Sequence, residues 1–189
     1  MSITALREAL IAHGGTVAEI VGTASGAPDG AAPAANGDAR SHRDAQPGIG
    51  APQRAARGPR TNGRAAEYEL LLEMILEGSL LHYGSPRVVD TADRDLALLL
   101  GDQLYALGLA RLAEIGDLDS VSELADLISL LSQAQLDGDD ALARAIWEAG
   151  ATAIGWGPSP EHEAAKDLAR SGDAAAVPAL LQSAGRGDR

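Results

Sequence analysis

Three groups of acidic residues have the types and spacing for metal or acid–base chemistry. Asp90, Asp93 and Asp95 could offer carboxylate oxygens to Mg²⁺, a hard cation that takes oxygen ligands. The commoner use of such a cluster is to place negative charge in the first turn of a helix. Asp137, Asp139 and Asp140 flank Gly138 and could hold Ca²⁺ weakly, but the segment lacks the remaining oxygens of a dedicated loop. It reads as a solvated turn. Glu69, Glu73 and Glu77 recur every four residues, which puts them on one face of a helix. Paired carboxylates need a pocket for acid–base work, and this row reads as a wet face.

Other catalytic patterns are missing. No glycine-rich loop leads into Lys-Ser or Lys-Thr, and there is no His-Glu-x-x-His or EF-hand pattern. His13, His42, His82 and His162 lie in separate segments without ligand-like spacing. The absence of cysteine removes disulfides, thiolate ligands and thiol nucleophiles, and fits a reducing compartment. The expectation is a chain with no catalytic, cofactor or metal site of its own.

The elements that would position these residues are helical. Nearly half of the 189 residues are apolar, mostly Ala and Leu, with no Phe, two Trp and three Tyr. Ala and Leu favour helices, whereas strands draw on β-branched and aromatic residues. The expected class is all-α. Ala5, Leu6, Leu10 and Ile11 make an apolar stripe within 2–22, broken by Gly14-Gly15. From 24 to 64 the composition turns to Gly, Ala, Pro, Asn, Asp and Arg, which predicts a disordered linker. That segment holds six Arg against three Asp, so the net charge of −12 is concentrated elsewhere. An acidic body disfavours nucleic acid.

Further helices are predicted over 65–82, 91–115, a segment opened by Ser120 and Glu123, 141–154, 161–170 and 173–184. The 91–115 helix, capped by Asp90 or Thr91, is apolar nearly all round beyond Leu96 and reads as the central helix. Ser120 and Glu123 have capping-box spacing, with Val121, Leu124, Ile128 and Leu131 as the core stripe behind them. Asp102, Gln103, Arg111 and Glu114 argue against a membrane span in 96–115, because buried charge is costly in a bilayer. Arg7 and Glu8 interrupt the first apolar stretch, unlike a signal peptide. The expectation is a soluble, cytoplasmic protein. Four segments follow: 1–23 helical, 24–64 linker, 65–157 helical core and 158–189 helical tail.

The middle of the chain resembles the trans-polyprenyl diphosphate synthases. The run Glu73-Met74-Ile75-Leu76-Glu77-Gly78-Ser79-Leu80-Leu81-His82 is similar to that family's Glu-Leu-Ile-His-x-Ala-Ser-Leu-Ile-His helix. Gly84-Ser85-Pro86-Arg87-Val88 resembles its Gly-Lys-Pro-Thr-Val loop, and Leu100-Gly101-Asp102-Gln103-Leu104 its Gly-Asp helix. Leu112 to Asp117, Gln133 to Leu136, and Glu148 to Gly155 echo later landmarks, so the likeness spans about 66–157. Where the family continues into Asp-Asp-x-x-Asp, this chain has Tyr83-Gly84-Ser85-Pro86. The family's upstream basic diphosphate grip is likewise missing.

The resemblance implies a partial isoprenoid-synthase-like antiparallel helical bundle. Its function would match the non-catalytic small component of two-component synthases, of the heptaprenyl diphosphate synthase component I type. Such a component works with a catalytic prenyl diphosphate synthase, which carries the Mg²⁺, in isoprenoid quinone side-chain biosynthesis; this chain alone would bind no cofactor. Gly101, Asp102, Tyr105 and Gly108 are the expected interface residues, facing that subunit or a second copy. The alternative is a stand-alone degenerate helical interaction module with no isoprenoid role. An unusual enzyme using Asp90, Asp93 and Asp95 ranks last.

Overall fold

The computed structural model describes residues 3–24 and 47–188, and among them every regular element is helical. In chain order these are α1 (Ile3–His13), α2 (Gly15–Ala24), α3 (Ala51–Ala56), a 3₁₀ turn (Pro59–Thr61), α4 (Ala65–Tyr83) and α5 (Arg94–Ile115). They are followed by α6 (Leu118–Leu136), α7 (Asp140–Trp156), α8 (Pro160–Arg170), α9 (Ala176–Ala184) and a final 3₁₀ turn (Gly185–Asp188). Side-chain caps set the starts of α5, α6, α7 and α8. Asp93 accepts from the Asp95 and Leu96 amides, Asp117 from Ser120 and Asp139 from Leu142. Ser159 accepts from the His162 amide, with Pro160 opening α8. Each carboxylate or hydroxyl satisfies amides that have no partner within the helix. Thus α5 is capped by Asp93 rather than Asp90 or Thr91, and Ser120 receives a cap from Asp117 rather than supplying one.

The centre of the fold is α4 together with α7. Every residue from 71 to 81 is buried, because α4 meets α5, α3 and α1 on different sides. Helix α7 is covered by α6, α9 and α3. By contrast, only Ala97, Leu100, Gly101, Leu104, Gly108 and Leu112 of the 22-residue α5 are buried. The helix expected to be central is peripheral. Its apolar residues run all round, but a neighbour covers only one side.

One apolar cluster centres on α4, α6 and α7 and includes Ala165, Ala169, Leu180 and Ala184 from α8 and α9. The C-terminal segment therefore shares the main core, with no structural break at 157. Leu6, Leu10, Val17 and Val21 of α1 and α2 form a second cluster with Met74, Leu81, Val88, Val89, Leu100 and Leu104.

Residues 47–64, expected to be linker, are instead packed. Ala51, Pro52, Ala55, Gly58 and Thr61 are buried. A Cβ on Gly58 would overlap the Gly155 carbonyl, so α7 and this segment touch backbone to backbone. The Thr61 hydroxyl donates to the Ala55 and Gly58 carbonyls. Small residues that look unable to build a core are what so close a crossing requires. The rest of the predicted linker, 25–46, lies outside the described residues.

Candidate functional site

Gly101 and Gly108 face α4 of the same chain. A Cβ at Gly101 would lie 2.7 Å from the His82 ring, and one at Gly108 would lie 2.6 Å from Ile75 Cδ1 and 3.0 Å from the Leu71 carbonyl. Gly78 answers from α4, where an added Cβ would lie 2.9 Å from the Gly101 carbonyl. The two helices run antiparallel, and the three glycines let their backbones approach. That side of α5 is already occupied.

Tyr105 stacks on the His82 ring, with centroids 5.3 Å apart and planes within 5°. Its burial pushes the phenol pKa up, partly opposed by a hydrogen bond with Ser79. Asp102 is exposed; its carboxylate lies 3.1 Å from His82 Nε2, off the line of a hydrogen bond.

The opposite side of α5 carries Leu99, Ala106, Ala110 and Ala113, all exposed. Leu99 is 66% exposed. An 18-residue window of α5 has mean hydropathy 1.3 and is only 33% buried, so the helix is long and apolar enough in composition to cross a membrane. What α5 offers is an outer face of Leu99 and three alanines, bordered by exposed Asp102 and Glu114, beside an intrachain glycine seam.

The acidic groups divide differently from expectation. Glu73 and Glu77 are buried rather than wet. One Glu77 oxygen accepts from the backbone N–H groups of Arg87, Val88 and Val89 at 2.8, 2.6 and 3.0 Å. Arg87 donates through Nε to Glu77 and through Nη2 to Glu73, at 3.3 and 2.6 Å. Gln53 of α3 donates to Glu69 and Glu73. Because α4 is surrounded, a four-residue period could not reveal which side is dry. These carboxylates fasten the 84–93 connection to α4. Asp93 and Asp139 cap helices, and Asp90, Asp95, Asp137 and Asp140 are exposed.

A second polar cluster joins α6, α8 and α9. Glu123, expected as half of a capping box, is buried and accepts from His162 Nε2 at 2.7 Å and Lys166 Nζ at 2.8 Å. Lys166 also reaches Asp126 at 2.7 Å and Glu163 at 3.0 Å, and Arg170 reaches Asp126 at 2.9 Å. Burial alone would raise the Glu123 pKa, but His162 and Lys166 hold it below the usual carboxylate value. Asp126 is lowered in the same way by Lys166 and Arg170. His162 Nδ1 faces the Ser183 hydroxyl at 3.4 Å.

Glu123, His162 and Glu163 could each offer a metal ligand atom within 4.8 Å of the others. The Lys166 ammonium sits against both carboxylates, so a metal ion would have to displace it. Sequence reading missed this cluster because its members lie 39 and 21 residues apart along the chain. The one local signal was His162, Lys166 and Arg170 at four-residue spacing.

No protein-family model, no curated protein and no solved structure matches this chain.

Proposed function

We propose that this chain is a helical subunit with no prenyl-transfer chemistry of its own, which docks through the outer face of α5 onto a helix-rich catalytic partner. The observation that carries the reading is the outer face itself: Leu99, Ala106, Ala110 and Ala113 exposed on a helix only one-third buried along its most apolar window. Covering such a face removes apolar area from water, worth about 25 cal/mol per Å² before association costs. The glycine seam on the other side supports the reading, because it fixes α5 and presents the face on a rigid element.

The sequence resemblance over 66–157 supports taking that partner to be a prenyl diphosphate synthase of isoprenoid quinone side-chain biosynthesis, carrying its own Mg²⁺ in the cytoplasm. In this reading Gly101 and Gly108 hold α5 from behind, and Asp102 and Tyr105 lie at the rim of the docking face. Buried Glu73 and Glu77 are consumed by Arg87 and backbone amides, which fits a subunit that leaves ionisation of an allylic diphosphate to its partner.

The test is co-expression with the same cell's full-length synthase, followed by size-exclusion chromatography with light scattering. Wild type should elute as a mixed complex, whereas Leu99→Glu and Ala106→Glu should elute apart from the synthase with unchanged circular dichroism. If wild type and synthase elute separately, the stand-alone interaction module takes its place.

A further inference from the structure

The cluster at α6, α8 and α9 has a feature that neither a structural ion pair nor a docking subunit needs. Glu123, His162 and Ser183 form one buried line, carboxylate to imidazole to hydroxyl, with 2.7 Å at the first link and 3.4 Å at the second. Glu123 is held ionised by Lys166 and can only accept. The proton in the Glu123–His162 bond therefore belongs to Nε2. In the neutral imidazole this leaves the lone pair on Nδ1, facing Ser183 Oγ. A carboxylate fixes the tautomer, and the other nitrogen is positioned as a base for a hydroxyl. That is the division of labour required for an activated serine.

The buried line ends beside a cleft. Ser183 lines a cleft of about 670 Å³ between the 158–161 connection and α9. Pro158, Pro160 and Ala179 supply apolar walls, and Ser159, Gln182 and the acidic Glu161 supply polar groups. In the resting arrangement the Ser183 O–H donates to the Leu180 carbonyl at 2.7 Å. Rotation about the Cβ–Oγ bond turns the proton from that carbonyl towards Nδ1, with Oγ left in place.

We propose that Ser183, His162 and Glu123 form a serine acyl-transfer site that accepts small esters in the cleft beside α9. Ser183 Oγ attacks the ester carbonyl carbon while its proton passes to His162 Nδ1. The carbon–alkoxy bond then breaks, and the departing alkoxide takes that proton from the imidazole. Water repeats the sequence on the acyl-serine, giving the carboxylic acid and restoring the hydroxyl. Gln182, which lines the same cleft, would supply a side-chain amide to the developing oxyanion. Glu123 is a positioning residue, because it acts through His162.

The experiment incubates the full chain with a fluorophosphonate probe and locates the adduct by peptide mass spectrometry. In parallel, p-nitrophenyl acetate and butyrate are followed for a nitrophenolate burst. The native chain should give a single adduct on Ser183 and a burst approaching one equivalent. Ser183→Ala should abolish both, and His162→Gln should slow acylation about a hundredfold. Ser171→Ala, at an exposed serine outside the cleft, should change neither. Glu123→Gln should shift the pH profile of acylation, a readout that a purely structural role would not move. No Ser183 adduct under conditions that saturate a control esterase, or equal labelling of native and urea-unfolded chain, overturns the proposal. The native-chain result needs no variant to fold. It is also independent of whether α5 docks a partner.

Discussion

Replacing Glu77 with Ala should remove much of the chain's stability, even though Glu77 does not line the cleft beside α9. The Glu77 side chain is 0% exposed, and one of its oxygens receives three consecutive backbone N–H bonds. Val88 and Val89 are themselves buried, so their amides would lose an acceptor where water is scarce. An orphaned buried donor costs about 1–3 kcal/mol. Arg87 would lose one of two carboxylates but keep Glu73 at 2.6 Å, which limits the ion-pair loss. The combined cost is roughly 3–5 kcal/mol, the range for breaking a buried charged pair. Against a typical total of about 5–15 kcal/mol, that is a large fraction.

Glu77→Gln should cost less, because a carbonyl oxygen can still receive the three amides, although the new NH₂ meets the Arg87 Nε–H donor to donor. Urea unfolding followed by circular dichroism reads the difference directly. With a slope of about 1–3 kcal/mol/M, the Ala variant's midpoint should fall by roughly 1–5 M. A loss below about 1 kcal/mol for Glu77→Ala would refute the view that this carboxylate fastens the 84–93 connection.

Other outcomes follow from the same geometry. Gly108→Leu should destabilise the isolated chain by roughly 1–3 kcal/mol in thermal unfolding, because Ile75 and the Leu71 carbonyl close the space from within the monomer. Glu123 and Asp126 have folded pKa values below their unfolded ones, so their stabilisation is present above about pH 4 and is lost as pH falls through the folded values. Hydrogen exchange should therefore show α8 amides losing protection in acid before those of α4. Tyr68, pushed up to about 12 by burial and its 2.6 Å bond to Asp117, favours the folded state below about pH 10. That contribution should disappear between about 10 and 12, and absorbance titration of Tyr68→Phe should lack the corresponding phenol.

Helix identity was legible because it rests on local rules. The Gly14 break, the Gly138 turn and the Pro160 start all follow from single residues and their neighbours. Burial was less legible. Glu73 and Glu77 occupy positions that period alone marks as wet, and only Arg87, from the next connection, reveals the other side. Residues 51–61 misled in the opposite way, because Ala, Pro and Gly read as unstructured until Gly155 is placed against Gly58. The apolar character of α5 was visible, but which part remains uncovered depends on three glycines paired across two helices. The line of Glu123, His162 and Ser183 had no sequence pattern at all, since three separate helices bring it together.

The most direct test of the docking claim is site-specific photo-crosslinking during co-expression with the full-length synthase. A photoreactive side chain is placed in turn at Leu99, Ala106 and Leu136. Leu136 is the control, being 84% exposed but at the end of α6 rather than on the α5 face. Adducts to the synthase from positions 99 and 106, with none from 136, are predicted. Crosslinking from 136 alone, or from none of the three while all remain folded, would contradict the assignment of α5 as the docking face.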